Sequence, residues 1–121
     1  MLAERDRRQA ARRRSLLRAK FVSDHPPMTI DCAIRDLTRY GARVVFPASV
    51  VAPARGWLIN VAAGAAHETV AIWRAGGLRG VKFVRTVDVT RPQPGPLNQL
   101  HRLWLEAAPR TSLRPREGAP I

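Results

Sequence analysis

The sequence predicts a mainly β fold, a small antiparallel β-barrel or sandwich followed by one α-helix. Its 121 residues are enough for one domain with a hydrophobic core. Six short runs with strand composition lie between residues 16 and 84, separated by turn-forming segments and without a helical pattern between them. Short strands in this succession are typical of small closed or sandwiched antiparallel sheets.

The strands are predicted in order from alternation of apolar and polar residues and from the turns between them. The clearest is the second, where Met28, Ile30, Cys32 and Ile34 alternate with more polar or smaller residues and form one inward face. Residues 24–27, Pro53 and the pair Gly76-Gly77 supply turns. The predicted strands cover residues 16–22, 28–37, 41–46, 56–61, 68–74 and 78–84.

A helix is predicted over residues 97–108, after a proline-rich connection. Its apolar residues recur at helical spacing, and Pro109 ends the run: they are Leu97, Leu100, Leu103, Trp104 and Ala107. We expect this stripe to pack on the barrel domain of residues 15–90, the alternative being a helix that binds a partner. Residues 1–14 and 109–121 are rich in arginine and poor in apolar residues, so we expect a flexible arm and a flexible tail.

The charge is strongly basic, with 21 Lys and Arg against 9 Asp and Glu and a net charge of +12. Half of this excess lies in the first 20 residues, and 19 of the 21 basic residues are arginine. Guanidinium groups suit bidentate recognition of phosphates or guanine edges. A GC-rich genome would also enrich arginine and alanine, and a basic arm could bind nucleic acid nonspecifically through phosphates.

Several protein classes are not indicated. A single cysteine, Cys32, and three widely spaced histidines give neither a disulfide framework nor a zinc motif. The longest uncharged runs have 11 residues, too few to span a bilayer, and the basic N-terminus lacks the apolar region of a secretory signal. We find no nucleophile elbow, P-loop or dinucleotide fingerprint. We therefore expect a cytoplasmic protein that is not an enzyme and needs no cofactor or metal.

Two motifs resemble those of the PilZ family, the bacterial receptor domain for cyclic di-GMP. The first is Arg8-Gln-Ala-Ala-Arg12, preceded by Arg7 and placed before the first predicted strand. The second is Asp36-x-Thr38-x-x-Gly41, at the exit of the second strand. The family has an R-x-x-x-R pair followed by a [D/N]-x-S-x-x-G element, and residues 71–74 and 80–83 are also similar to its later strands.

The resemblance implies a stand-alone six-stranded PilZ-like barrel with a C-terminal helix, acting as a second-messenger receptor. It implies that the arm closes over cyclic di-GMP and that the ordered form contacts an effector protein. Specific DNA or RNA binding is not expected. Threonine replaces the family's usual serine, and an arginine before the pair tends to accompany two intercalated ligands. The implied ligand-binding residues are Arg7, Arg8, Arg12, Asp36, Thr38 and Gly41.

The chemistry of these residue types suits the ligand. Arginine can pair with guanine O6 and N7 or with phosphate, and Asp36 can accept hydrogen bonds from guanine N1–H and N2–H. Gly41 allows a positive φ or a close backbone approach to the ligand. Each residue also has a structural explanation: Asp36 and Gly41 could serve a turn, and Thr38 could favour the strand. A PilZ-fold interaction module that binds no cyclic di-GMP is the main alternative.

The arginine pair alone is weak, because 19 arginines give i, i+4 pairs by chance about three times and this chain has five. The rival pair Arg14 and Arg18 lies at or inside the first predicted strand. For that reason the prediction uses Arg8 and Arg12.

Overall fold

Six antiparallel strands close into a barrel in the computed structural model, which describes residues 16–108. A 3₁₀ turn, Gly95–Leu97, leads into the helix α1, Asn98–Ala107. The predicted fold class is confirmed, while the arm of residues 1–14 and the tail of residues 109–121 lie outside the described residues. The strands are β1 Leu17–Asp24, β2 Pro27–Leu37, β3 Gly41–Val45, β4 Arg55–Asn60, β5 Ala65–Ala75 and β6 Leu78–Asp88.

The barrel consists of two three-stranded meanders, β1-β2-β3 and β4-β5-β6, joined along two seams. The strand order is β1-β2-β3-β6-β5-β4, and β4 closes the circle by pairing with β1. Within each meander, neighbouring strands are consecutive in sequence. The seams β3–β6 and β1–β4 instead pair distant segments, for example Gly41 with Lys82. Closure leaves no unpaired sheet edge along the barrel wall.

The barrel interior is filled by alternating apolar residues from all around the wall. Phe21 and Phe46 meet edge to face, with ring centroids 5.4 Å apart. Ile30 and Ile34 of β2 are buried, and Met28 and Cys32 pack partly buried against the same core, as the alternation in this segment predicts. This packing fixes which residues of β2 point outward.

The helix α1 packs against the outer face of the barrel wall, on residues of β1, β4 and β5. Leu100, 3% exposed, joins a second buried cluster with Val22, Ile59 and Val89. The indole Nε1 of Trp104 donates a hydrogen bond to the carbonyl oxygen of Val61 at 2.9 Å. None of the helices among residues 16–108 is long and apolar enough to span a membrane.

Candidate functional site

A surface cavity of about 450 Å³ lies across the seam between β3 and β6. Three of the six predicted site residues line it, namely Asp36, Thr38 and Gly41. Side chains from the other meander, including Trp73 and Lys82, form the facing wall. We call this the seam cavity. The other three predicted site residues, Arg7, Arg8 and Arg12, lie outside the described residues.

A β-bulge in β2 orients Asp36 toward the seam cavity. Ile34 pairs with Val44, and Asp36 pairs with Arg43, which leaves Arg35 as the extra residue. Without the bulge, Asp36 would share the inward face of Ile34, because side chains alternate along a strand. The bulge reverses this alternation and places the carboxylate on the outer face beside Arg43.

The Asp36 carboxylate has unusual surroundings. Its side chain is only 15% exposed, and within residues 16–108 neither oxygen accepts a hydrogen bond. The Nε atom of Arg43 lies 3.1 Å from Oδ2 and forms an ion pair, and the Arg43 side chain is 46% exposed. Buried carboxylate oxygens normally accept hydrogen bonds. Asp36 is therefore an acceptor group whose hydrogen-bonding capacity is unfilled by the described part of the chain.

The Thr38 side chain stabilises the turn between β2 and β3 through hydrogen bonds to its backbone. Its hydroxyl accepts hydrogen bonds from the backbone N–H of Tyr40 at 3.1 Å and of Gly41 at 3.2 Å. The same hydroxyl donates to the carbonyl oxygen of Gly41 at 3.3 Å. A hydroxyl group can donate one hydrogen bond and accept two, so these three bonds use its whole capacity. The geometry thus gives Thr38 a structural task at the rim of the seam cavity.

Gly41 permits close contact between the two meanders. A Cβ atom at this position would overlap the carbonyl oxygen of Val81 in β6. Gly41 is not among the glycines with positive φ in the described residues. Of the two alternatives considered for Gly41, the positive φ does not occur, and the close approach that glycine allows here is to β6. Larger residues would push the seam apart and widen the cavity.

The facing wall is built by Trp73 lying over a glycine. Trp73 pairs with Gly80, and a Cβ atom on Gly80 would overlap the indole ring. A second bulge, at Ile72, sets this register. Trp73 remains 41% exposed, so part of the ring faces solvent. An aromatic face beside a carboxylate is a surface on which a planar base can stack and be hydrogen-bonded at its edge.

Two cations and an exposed aromatic ring complete the rim. Arg43 and Lys82 both line the seam cavity, so its lining carries two positive charges against the single negative charge of Asp36. Tyr40 is 72% exposed, and the guanidinium carbon of Arg39 lies 5.9 Å from the centre of its ring. The cavity can therefore accommodate a ligand that combines negative charge with planar rings.

Sequence reasoning missed Arg43, Trp73 and Lys82 as site residues. A signal for Trp73 was present, because Ile72 and Trp73 are adjacent large apolar residues in a strand otherwise expected to alternate. Such a break is typical of a bulge or of an exposed functional side chain. Gly80 inside β6 was a second signal, since glycine within a strand often marks close approach of another group.

The arginine-rich segment joins the barrel next to the strand that carries Asp36. Leu17, the first residue of β1, pairs with Ile34, two residues before Asp36. Arg18, from the rival arginine pair, donates a hydrogen bond to the carbonyl oxygen of Ala107 at 2.7 Å and so anchors the end of α1. Arg18 is thus bound to α1 and does not line the seam cavity.

Residues that could bind metal or act as nucleophiles do not gather at this site. Within residues 16–108, no three His, Cys, Asp or Glu side chains are placed to hold a metal ion. Burial raises the pKa of the Cys32 thiol to about 12. What the seam cavity provides is hydrogen bonding, charge and an aromatic surface. Comparison with known proteins found no matching family model, no similar curated protein and no similar solved structure.

Proposed function

We propose that this chain binds cyclic di-GMP in the seam cavity and acts as a receptor or adaptor in bacterial second-messenger signalling. The observation that carries the proposal is the Asp36 carboxylate, which is shielded from solvent, forms an ion pair with Arg43 and accepts no hydrogen bond within residues 16–108. It lies in a cavity of about 450 Å³ that also presents cations and an indole. A guanine base satisfies such a carboxylate with two adjacent N–H groups, whereas adenine lacks this pair of donors.

The remaining wall residues match the other parts of the ligand. Arg43 can release Asp36 and turn to a phosphate, because 46% of its side-chain surface is exposed and guanidinium binds phosphate well. Lys82 adds a second positive charge. The exposed part of the Trp73 ring can stack on a purine.

Arg7, Arg8 and Arg12 are proposed to cover the ligand from the other side. Arg12 precedes Leu17 by five residues, so its Cα atom can lie up to about 17 Å from the start of β1. That distance is sufficient to reach Asp36, which follows the β2 partner of Leu17 by two residues. Ordering the arm costs about 1–2 kcal/mol per residue, which charge-assisted hydrogen bonds to guanine and phosphate must offset. The ordered arm would form a new surface for an effector protein.

Calorimetric titration with cyclic di-GMP at physiological salt tests this function. We expect micromolar or tighter binding, with GTP and the linear dinucleotide as controls. Arg8→Ala, Arg12→Ala and Asp36→Ala should each weaken binding severely. Asp31→Ala is a matched control, because Asp31 also lies on β2 but is 81% exposed and pairs with Lys20 outside the seam cavity. Undiminished binding in the first three variants would exclude this site.

The second candidate is an interaction module with the same barrel and no cyclic di-GMP binding. It is favoured by the Thr38 hydroxyl, which the turn already occupies fully, and by the ion pair between Arg43 and Asp36. This candidate predicts no heat on titration and no change in the NMR signals of the arm. The same calorimetric experiment therefore separates the two functions.

A further inference from the structure

A second concave surface lies between the loop of residues 47–54 and the hairpin formed by β5 and β6. It consists of two adjoining cavities, of about 450 and 360 Å³. Both are lined by Val51, Ala52, Arg74 and Arg79. We call this surface the Arg79 groove. Apart from Ile72 and Trp73 at one end, its lining residues are not those of the seam cavity.

Arg79 forms the floor of the groove and is almost fully buried. It is 4% exposed, and its Nη atoms donate hydrogen bonds to the carbonyl oxygens of Pro53 at 2.6 Å and Ala52 at 2.7 Å. The guanidinium also lies over the ring of Phe46, 5.1 Å from its centre. Its Nε atom is buried and has no hydrogen-bond partner among residues 16–108. The guanidinium is thus held through two of its nitrogens, and the third, Nε, has no partner.

No carboxylate in the described residues neutralises this charge. Arg74 is the direct cross-strand partner of Arg79, so two cations face each other on adjacent strands. Like charges in this position destabilise a sheet. No Asp or Glu of residues 16–108 lines either cavity. Burial, with a smaller contribution from Arg74, lowers the pKa of Arg79. An external anion beside Arg74 would relieve this repulsion.

The rim of the groove is apolar and exposed. Val51 is 78% exposed, Ile72 is 61% exposed and Trp73 is 41% exposed. All three line the cavity that also contains Arg74 and Arg79. A small inorganic anion would leave these side chains in water, and a nucleic-acid backbone offers few apolar groups to cover them. A peptide segment can supply an anion and an apolar side chain together.

We propose that the Arg79 groove binds a segment of a partner protein in which an Asp or Glu lies next to a large apolar residue. The carboxylate pairs with Arg74 and lies in the positive field of the buried Arg79, and the apolar side chain covers Val51 and Ile72. This proposal concerns a site separate from the seam cavity and does not depend on cyclic di-GMP binding.

Selection from a random heptapeptide display library against the full chain tests the proposal. We expect enriched peptides that carry Asp or Glu within two positions of Leu, Ile, Val, Phe or Trp. A synthetic copy of the most enriched peptide then serves as the probe, beside an analogue in which the acid is replaced by its amide. The acidic peptide should bind at least about tenfold more tightly than the amide.

Two groove variants and two matched controls locate the binding. Arg74→Glu and Val51→Asp should each lower the affinity for the acidic peptide about tenfold or more, since each introduces a negative charge in the groove. Arg102→Glu and Val84→Asp make the same changes at exposed positions that line neither cavity and should leave binding unchanged. Enrichment of non-acidic peptides, failure to enrich any peptide, or equal binding by Arg74→Glu would overturn the proposal.

Titration of the same variants with cyclic di-GMP keeps the two proposals distinct. Arg74 and Val51 do not line the seam cavity, so dinucleotide binding should be equal in Arg74→Glu, Val51→Asp and the unmodified chain. Loss of peptide binding with retained dinucleotide binding supports a separate groove. Peptide binding that is lost only in Asp36→Ala would place the peptide in the seam cavity and refute the assignment to the Arg79 groove.

Discussion

Replacing Asp36 with asparagine should raise stability while it removes ligand binding. The two side chains have the same shape, so the substitution changes charge and hydrogen bonding with little change in packing. In the structure both carboxylate oxygens of Asp36 are shielded, and neither accepts a hydrogen bond within residues 16–108. An ionised group in this position is harder to desolvate than a neutral amide.

The magnitude follows from two opposing contributions. A buried polar group without a partner costs about 1–3 kcal/mol of folding free energy and a charged one costs more, so the amide recovers only the additional cost of burying the charge. The ion pair with Arg43 returns about 0–1 kcal/mol, because the Arg43 side chain is 46% exposed and its charge is screened by water. Asp36→Asn should therefore increase the free energy of unfolding by about 1 kcal/mol. For a domain of this size, that corresponds to a rise in Tm of about 4–8 °C.

Urea and thermal unfolding in the absence of nucleotide measure this change. Asp31→Asn is the control with the opposite sign, because the pKa of Asp31 is lowered by its hydrogen bond with Lys20 and the charged form stabilises the fold. Asp31 is 81% exposed, so Asp31→Asn should lower the free energy of unfolding by at most about 0.5 kcal/mol. A fall in stability of more than 1 kcal/mol in Asp36→Asn would refute the reasoning and show that the carboxylate serves the fold.

Two further predictions concern packing and thiol reactivity. Leu100→Ala should lower the free energy of unfolding by about 2–4 kcal/mol, because Leu100 lies on the buried face of α1 and is only 3% exposed. Leu105→Ala, at a position 49% exposed on the same helix, should change it by less than about 0.5 kcal/mol in denaturant titrations. The Cys32 thiol should resist iodoacetamide at pH 8, since burial raises its pKa to about 12 and little thiolate is present. Mass spectrometry measures this labelling, which should become rapid in urea; labelling of the folded chain at the rate of a free thiol would contradict the burial.

The strands were predictable wherever alternation or turn residues were strong. The pattern from Met28 to Ile34 gave β2 and its inward face, and Gly76-Gly77 gave the turn between β5 and β6. The far ends of these two strands were missed: β5 begins at Ala65 and β6 continues to Asp88. Their composition there is small or polar, and they form strands because they pair with each other.

The seam cavity was only half predictable. Asp36, Thr38 and Gly41 are close in sequence, so a local motif identified them together. Trp73 is brought to Asp36 by a bulge in β5, of which the adjacent Ile72 and Trp73 were a local signal, and by the β3–β6 seam, which cannot be read from local sequence. The orientation of Asp36 likewise depends on the bulge at Arg35, which reverses the alternation that the sequence predicts.

The position of the seam cavity has a consequence for how the barrel opens. Hairpins within each meander close short loops, whereas the β3–β6 seam joins residues as distant as Gly41 and Lys82 and carries a larger loop-closure entropy. Local fluctuations should therefore part the barrel at its seams before they separate the hairpins. A ligand held by Asp36 of β2 and Trp73 of β5 would bridge the two meanders across the β3–β6 seam and slow amide hydrogen exchange along this seam more than along β1–β4.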